Sequence, residues 1–248
     1  MKDSRTLFDE IDDTECSKYP ELITFMRDGV LDYYDYKNAK VKIAFIVKEP
    51  FSECDEINYE PFYNCFDMMD IFFSLTNNYN QNLCKIWRKI AAMGYSLTND
   101  SEYKEDLMHE LIARGISTVA WINLSKTPWK QSDKIDKKYL ERVQLWEPVV
   151  KAQLSEIDPD IILYGGTWGI SNLNPYEPDI SWKNEYCTNT KVYEFKDKEG
   201  NVHTISISNY QDTDKIIVKG LRPDFDDAAK WQTVFIKDFL KNNKKSYK

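Results

Sequence analysis

Apolar residues of this chain fall into short runs of strand length that alternate with longer segments of helical periodicity. The runs predicted to form strands are 41–47, 117–122, 160–164 and 215–219. Apolar positions at helical spacing predict helices at 62–76, 83–94, 102–114, 137–157 and 228–242. This alternation is typical of an α/β fold with a mainly parallel sheet.

Turn and cap residues refine this prediction. Residues 191–208 alternate between apolar and polar positions around Glu199-Gly200-Asn201, which predicts a hairpin added to the sheet. Pro148 lacks a backbone donor and is expected to end one helix or start another, while Asp226 or Asp227 caps the closing helix.

The predicted architecture is one three-layer α/β/α domain spanning residues 1–248. Its central sheet has about four mainly parallel strands plus the hairpin, and residues 1–20 are expected to be loosely ordered. A chain of 248 residues is still within the range that a single core can serve.

The charge balance limits the expected partners. A formal net charge of -8 argues against indiscriminate nucleic-acid binding, which depends on neutralising phosphates. A local basic stretch at 126–142 is either a solvated face or a phosphate track. The chain has no apolar run near the roughly 18 residues of a membrane span, and its N-terminus lacks a signal-peptide core. We therefore expect a cytoplasmic protein with no membrane partner.

The sequence contains few of the residues that hold metals. Its five cysteines show no C-x-x-C spacing, and there are only two histidines, so we expect no disulfide framework, no metal and no other cofactor. His203 is most simply interpreted as a half-buried strand residue.

The carboxyl ends of the four predicted strands all carry polar or glycine-rich sequences. Ligands of open α/β sheets bind in the crevice beyond these ends, so this edge is the predicted functional site. The four segments are Lys48-Glu49-Pro50-Phe51, residues 123–128, residues 165–169 and residues 220–225.

The order and approximate spacing of these segments over residues 41–240 resembles the uracil-DNA glycosylase superfamily. In that family the first motif supplies a water-activating acid, a proline and an aromatic residue that closes the pocket, which here correspond to Glu49, Pro50 and Phe51. Val47 stands where the family usually has a glycine, which would affect how closely the backbone approaches a ligand.

The resemblance extends to two later strand ends. Asn123 matches the asparagine that reads the Watson–Crick edge of an extruded base. The family's last motif is His-Pro-Ser followed by an apolar wedge, and here it is Arg222-Pro223-Asp224-Phe225. The resemblance implies that Pro223 and Phe225 contact the substrate, and that Arg222 stands in the position of the family's histidine.

Base extrusion and cleavage need particular chemical groups. Phe62 is the candidate aromatic platform for the base, with Tyr63 and Phe66 as near alternatives. Asn123 supplies a carboxamide, which offers a donor and an acceptor together. Glu49 would stabilise positive charge on the sugar and orient water, and Arg222 would stabilise the departing base through fixed charge.

Two further substrate contacts are predicted. Lys126 belongs to the basic stretch, and Gly166 lies in a Gly165-Gly166-Thr167 segment that either holds phosphate through backbone N–H groups or packs tightly against Trp168.

These inferences favour a monofunctional DNA glycosylase that acts as a monomer on DNA. Its substrate would be a flipped pyrimidine, uracil or a modified cytosine or thymine, and its role repair or defence against phage DNA with modified bases. Two alternatives remain open. One is a non-catalytic nucleotide- or DNA-binding module on the same fold, and the other is an α/β interaction protein whose acidic surface meets a basic partner.

Overall fold

The computed structural model describes residues 3–18, 28–30, 33–48, 81–107, 109–127, 135–177, 181–223, 225 and 227–243. Within these ranges the chain forms six α-helices and one mixed sheet of seven strands. The strands are β1 Gly29–Val30, β2 Ile43–Val47, β3 Val119–Asn123, β4 Ile161–Gly165, β5 Cys187–Lys196, β6 Val202–Tyr210 and β7 Ile216–Gly220. The helices are α1 Ser4–Lys18, α2 Tyr33–Asn38, α3 Gln81–Asn99, α4 His109–Ser117, α5 Lys137–Ile157 and α6 Ala228–Asn242.

The sheet confirms the α/β class but is larger and more mixed than predicted. Its strand order is β1-β3-β2-β4-β7-β6-β5. Strand β2 pairs in parallel with β3 and β4, and β4 pairs in parallel with β7. The pairings of β1 with β3, β6 with β7 and β5 with β6 are antiparallel. The two-residue β1 is too short for an alternation pattern to reveal it, so the sequence prediction missed it.

Alternate residues of the central strands enter two apolar clusters, one on each face of the sheet. Ile43 and Phe45 of β2 belong to a cluster with residues of α3, α4 and α6. Ala44 and Ile46 belong to the other cluster, which contains residues of α5. All five residues of β2 are buried, as expected for a parallel strand covered on both faces.

Helix α5 runs through Pro148 without interruption, so the predicted helix break at this residue is wrong. The helix buries Val143, Trp146, Val149 and Val150 on both sides of the proline. Packing on both sides outweighs the loss of one backbone hydrogen bond, because tertiary burial contributes more to helix stability than local propensity does. Asp136 caps the helix through a bond from the Tyr139 N–H.

The ends of the chain are also helical where the structure describes them. Residues 4–18, which lie within the 1–20 segment predicted to be loosely ordered, form α1, and its Phe8 ring lies 5.0 Å from the Trp146 ring of α5. The closing helix α6 is confirmed. Asp227 is at its N-cap position, but its side chain makes no capping hydrogen bond. The helix predicted at 62–76 lies outside the described residues.

The predicted hairpin is confirmed as β5 and β6 joined by residues 197–201. Four aromatic residues that follow β4 pack against the apolar cluster that contains residues of α5. In many α/β folds a helix occupies this position after a strand. The four aromatic residues are Trp168, Tyr176, Trp182 and Tyr186.

Candidate functional site

The carboxyl ends of the four parallel strands form one row across the sheet. Asn123 is in register with Val47, and Gly165 with Gly220. Ile46 pairs with Tyr164, so Val47 and Gly165 continue the same row. Strands lie about 4.8 Å apart, which puts the Cα atoms of Asn123 and Gly220 roughly 14 Å from each other.

Four of the predicted site residues lie outside the described residues: Glu49, Pro50, Phe51 and Phe62. In the sequence, Glu49 follows Val47 of the strand-end row by two residues. Val47 itself is 4% exposed. Its Cγ1 atom lies 3.4 Å from the position that a Cβ on Gly165 would occupy. Val47, which stands where the resemblance has glycine, therefore packs close to Gly165.

Asn123 ends β3 with its side chain fully buried. Its backbone N–H and its Nδ2 both donate to Oδ2 of Asp28, at 2.6 and 2.8 Å. An ionised carboxylate only accepts hydrogen bonds, so this contact identifies which branch of the carboxamide faces Asp28. The amide nitrogen of Asn123 is turned toward Asp28, and the carbonyl oxygen is on the other branch.

Lys126 is also fully buried, so the interpretation of residues 126–142 as a solvated face is wrong at this position. Its Nζ donates to Asp28 Oδ1 at 2.6 Å, to the Asn123 carbonyl at 2.8 Å and to Gln153 Oε1 at 2.9 Å. An ammonium group has three protons, so these three contacts use all of them. Lys126 therefore links the end of β3 to Asp28 and to Gln153 of α5. Its role as a substrate contact stays a prediction.

Gln153 of α5 completes this buried network. Its Nε2 donates to the Asp28 carbonyl at 2.8 Å and to Asp28 Oδ1 at 2.9 Å. We call Asp28, Asn123, Lys126 and Gln153 the β3-end network. Sequence reasoning missed Asp28 and Gln153. A polar residue between the buried Val150 and Leu154 of an amphipathic helix was an available signal for Gln153, whereas no local pattern marks Asp28.

Arg222 follows β7 at the other end of the strand-end row. Its side chain is exposed and Pro223 is buried, and the Phe225 N–H donates to the Arg222 carbonyl at 3.0 Å. This i to i+3 bond closes a β-turn with proline at its second position, which proline favours. The Arg222 Cα lies 3.6 Å from where a Cβ on Gly165 would stand. The Arg222–Phe225 turn therefore lies directly beside β4.

Phe225 is 41% exposed, and its ring meets the ring of His203 edge-on at 4.9 Å. His203 is half-buried on β6, as predicted, and its Nε2 is 2.8 Å from Asp197 Oδ2. The hydrogen bonds from His203 and then Asn201 hold the pKa of Asp197 well below its usual range.

Gly166 is exposed, and its φ of 71° lies in the left-handed region that favours glycine. A Cβ there would meet nothing within 4 Å, so tight packing against Trp168 does not explain this glycine. Its N–H donates to the carbonyls of Tyr164 and Gly220, both at 3.0 Å. The N–H thus joins β4 to β7, and a phosphate contact at Gly166 stays a prediction.

The ring of Trp168, beside this loop, makes a cation–π contact with Lys219, a residue that the sequence analysis did not single out. Lys219 Nζ is 4.0 Å from the Trp168 ring centre and donates to Asn184 Oδ1 at 2.9 Å. Trp168 also packs edge-on against Tyr164 at 4.9 Å and Trp182 at 5.2 Å.

The part of the chain that the structure describes contains neither a metal-binding cluster nor a membrane-spanning helix. In this part of the chain no three or more His, Cys, Asp or Glu side chains come together in a group that could hold a metal ion. None of its helices combines the length and the apolar character needed to cross a bilayer.

No family model matches the sequence, and a comparison with curated proteins found no match either.

Proposed function

We propose that the chain is a monofunctional DNA glycosylase of the uracil-DNA glycosylase type. It would extrude an aberrant or modified pyrimidine from DNA and hydrolyse its N-glycosidic bond. The observation that carries the proposal is the strand-end row. Four parallel strands end at one edge of the sheet. Along the chain, β2 leads to Glu49, β3 ends at Asn123, β4 ends at Gly165 and β7 leads to Arg222, which is the order of the motifs in the family that the sequence resembles.

The fold supports the proposal as a scaffold. We propose that this fold is a three-layer α/β/α domain, and that its functional part is the group of four parallel strands β3, β2, β4 and β7. Ligand sites of such sheets lie beyond the carboxyl ends of the strands, where the four segments are found.

The proposed reaction divides the work between an acid and a cation. Glu49 accepts a proton from water, and the oxygen of that water bonds to C1′ of the sugar as the bond from C1′ to the base nitrogen breaks. The electron pair of the broken bond leaves with the base, and Arg222 stabilises the resulting negative charge. Arginine keeps its proton at neutral pH, so Arg222 contributes charge and hydrogen bonds only.

Asn123 would select the base in this reaction. Because its Nδ2 donates to Asp28, the carbonyl oxygen is the branch of the carboxamide directed away from the β3-end network. A carbonyl oxygen recognises a donor, such as the N3–H of uracil or the exocyclic amino group of a cytosine derivative. Pro50, Phe51, Phe62, Pro223 and Phe225 would enclose the base and the flanking DNA.

We further propose that the protein acts as a cytoplasmic monomer without a metal or another cofactor. Its role would be base-excision repair or defence against phage DNA that carries modified bases. The net charge of -8 suits selective contacts with an extruded base better than tight binding of any DNA.

The test is incubation of the purified chain with DNAs carrying different pyrimidines, read as strand breaks after alkali treatment. We expect abasic product from at least one of these DNAs in the presence of EDTA. Glu49→Gln should lose at least about 100-fold in rate, in the range of general base catalysis, and keep its affinity for DNA.

Glu199→Gln makes the same change in the exposed turn between β5 and β6 and serves as the matched control. It should retain the activity of the unchanged chain. Absence of alkali-labile product from every DNA in the panel would refute the glycosylase proposal.

A non-catalytic binding module is the second candidate. It is favoured by the contrast between Arg222, which is exposed, and Asn123, which is buried and bound to Asp28. In that case Arg222 grips a phosphate, no abasic product forms, and Arg222→Ala weakens DNA or nucleotide binding most. Lys230→Ala removes another exposed cation, from α6, and is the matched control.

A further inference from the structure

The hairpin of β5 and β6 extends past the end of β7 and reaches the level of Arg222. The antiparallel ladder of β6 and β7 pairs Ser206 with Lys219. If this register is continued for three more residues beyond Ser206 and Lys219, His203 lies across from Arg222. Strand β6 is still paired with β5 at this level, where His203 is in register with Phe195. The hairpin thus forms a wall beside the Arg222–Phe225 turn.

His203 is held firmly in that wall by Asp197. The carboxylate of Asp197 is only 3% exposed, and its Oδ2 lies 2.8 Å from His203 Nε2. The same carboxylate accepts the backbone N–H groups of Glu199 and Asn201, at 2.9 and 2.8 Å, and Asn201 Nδ2 at 2.9 Å. With its other contacts fixed by the turn, Asp197 fixes the position of the imidazole as well.

The imidazole in turn meets the aromatic residue at the end of the Arg222–Phe225 turn. The rings of His203 and Phe225 are 4.9 Å apart and nearly perpendicular, at 73°, which is a favourable aromatic geometry. On its other side His203 lies 5.3 Å from the buried Phe195 ring, which stacks on Trp231 of α6 at 6.2 Å. The exposed Phe225 is therefore connected to the apolar core through His203.

We infer that the His203–Asp197 pair is a positioning device for the Arg222–Phe225 turn, and that it sets how firmly the chain holds DNA beside the extruded base. The DNA part of this inference rests on the proposed function. His203 acts through Phe225. Because a backbone hydrogen bond joins Phe225 to Arg222 across one β-turn, a fixed Phe225 ring also restrains the backbone at Arg222.

The turn itself is tested without DNA, by amide hydrogen exchange of the full chain over residues 221–228. The Phe225 N–H is bonded to the Arg222 carbonyl and the Ala228 N–H to the Phe225 carbonyl, so both report directly on the turn. We expect faster exchange of this segment in His203→Ala. His203→Gln keeps a donor for Asp197 but loses the ring that contacts Phe225, so the exchange should stay fast in this variant. Thr204→Ala, an exposed neighbour on the same strand, is the control.

The DNA part is tested with a duplex that carries a tetrahydrofuran abasic analogue, by fluorescence anisotropy. Phe225→Ala should weaken binding about fivefold to tenfold, the lower range for loss of an aromatic contact with a base. His203→Ala should produce a smaller loss in the same direction. The double variant should bind no more weakly than Phe225→Ala alone, because His203 acts through that ring.

The outcomes separate the inference from the proposed function. Unchanged exchange of residues 221–228 in His203→Ala, or additive losses in the double variant, would overturn the positioning role while excision by the unchanged chain upheld the glycosylase proposal. If the unchanged chain neither excised a base nor bound the abasic duplex, the proposed function would fall together with the DNA part of the inference. The exchange result would then decide the positioning role alone.

Discussion

At the scale of single residues, the β3-end network shows how a buried ion pair is stabilised in the interior. Lys126 and Asp28 form a 2.6 Å ion pair in which the two side chains are 0% and 1% exposed. Taking both charges out of water carries a large desolvation cost, which their attraction offsets only when the remaining hydrogen bonds are satisfied. The carbonyl of Asn123 and the amide of Gln153 supply those bonds.

Removal of the cation should therefore destabilise the fold strongly. Lys126→Met preserves much of the side-chain volume but leaves the Asp28 carboxylate buried without its charge partner. We expect the free energy of unfolding to fall by about 3–5 kcal/mol, the usual range for a broken buried pair. Urea denaturation followed by circular dichroism measures this change.

Lys151→Met is the control for that experiment. Lys151 pairs with Glu147 on the surface of α5 at 3.0 Å, with about a third of each side chain exposed. Pairs of this kind contribute at most about 1 kcal/mol. Equal losses in the two variants would contradict the structural role assigned to Lys126.

At the scale of elements, α5 illustrates a conflict between local preference and packing. Pro148 lies on the exposed side of the helix, while the residues on either side of it bury their side chains against the core. The proline ring removes one hydrogen-bond donor and crowds the preceding turn. The helix continues because the buried face extends over its whole length.

Pro148→Ala should stabilise the protein. Alanine restores the backbone donor without disturbing a buried contact, and it is about 3 kcal/mol more favourable than proline in a helix interior. Part of this gain is offset because proline also restricts the unfolded chain, so we expect an increase of about 1–2 kcal/mol. The shift of the urea midpoint measures it, and a decrease would show that the proline has a packing role.

The hairpin makes a pH-dependent contribution to stability through Asp197. The hydrogen bond from His203, followed by that from Asn201, lowers the pKa of this carboxyl in the folded chain. A group with a lowered pKa in the folded state stabilises folding at pH values above its unfolded pKa of about 3.9. That contribution is lost as the pH falls toward the folded value.

Asp197→Asn should therefore change the acid side of the stability profile. We expect the variant to be less stable than the unchanged chain at pH 7, and the difference to shrink as the pH falls below about 4. Urea unfolding at several pH values measures this. Asp212→Asn, which removes the same charge from the turn between β6 and β7, is the control. A difference that grew on acidification would contradict the assignment.

At the scale of the whole molecule, one sheet ties distant parts of the chain together. The first apolar cluster contains residues from Val41 to Phe239, and the last central strand, β7, lies between β4 and β6. Residues far apart in the sequence therefore share one core. The prediction of one domain over residues 1–248 stays a prediction, which unfolding experiments can test.

We expect the chain to unfold in a single cooperative transition. Far-ultraviolet circular dichroism reports on helices and strands, and tryptophan fluorescence reports on the surroundings of Trp146, Trp168, Trp182 and Trp231. The two signals should give the same urea midpoint. Two separated midpoints would show that part of the chain folds independently.

The sequence by itself determined the elements whose signal is local. The apolar runs around Ile43, Val119, Ile161 and Ile216 predicted all four parallel strands, because a strand buried on both faces is apolar at nearly every position. The hairpin around Gly200 and the closing helix were predicted for similar reasons, since turn residues and helical periodicity act over a few neighbours. The four polar strand ends were therefore visible before the structure.

Only the tertiary structure decided the order of the strands and the surroundings of each site residue. It enclosed Asn123 and Lys126 with Asp28, which is 95 residues from Asn123 in the sequence, and it brought His203 into contact with Phe225. Such contacts depend on strand pairing and burial over long separations, and no local pattern of residue types encodes them. Asparagine, lysine and aspartate also occur commonly on protein surfaces, so their presence in the sequence does not predict a buried network. The tertiary fold determines that they form one here.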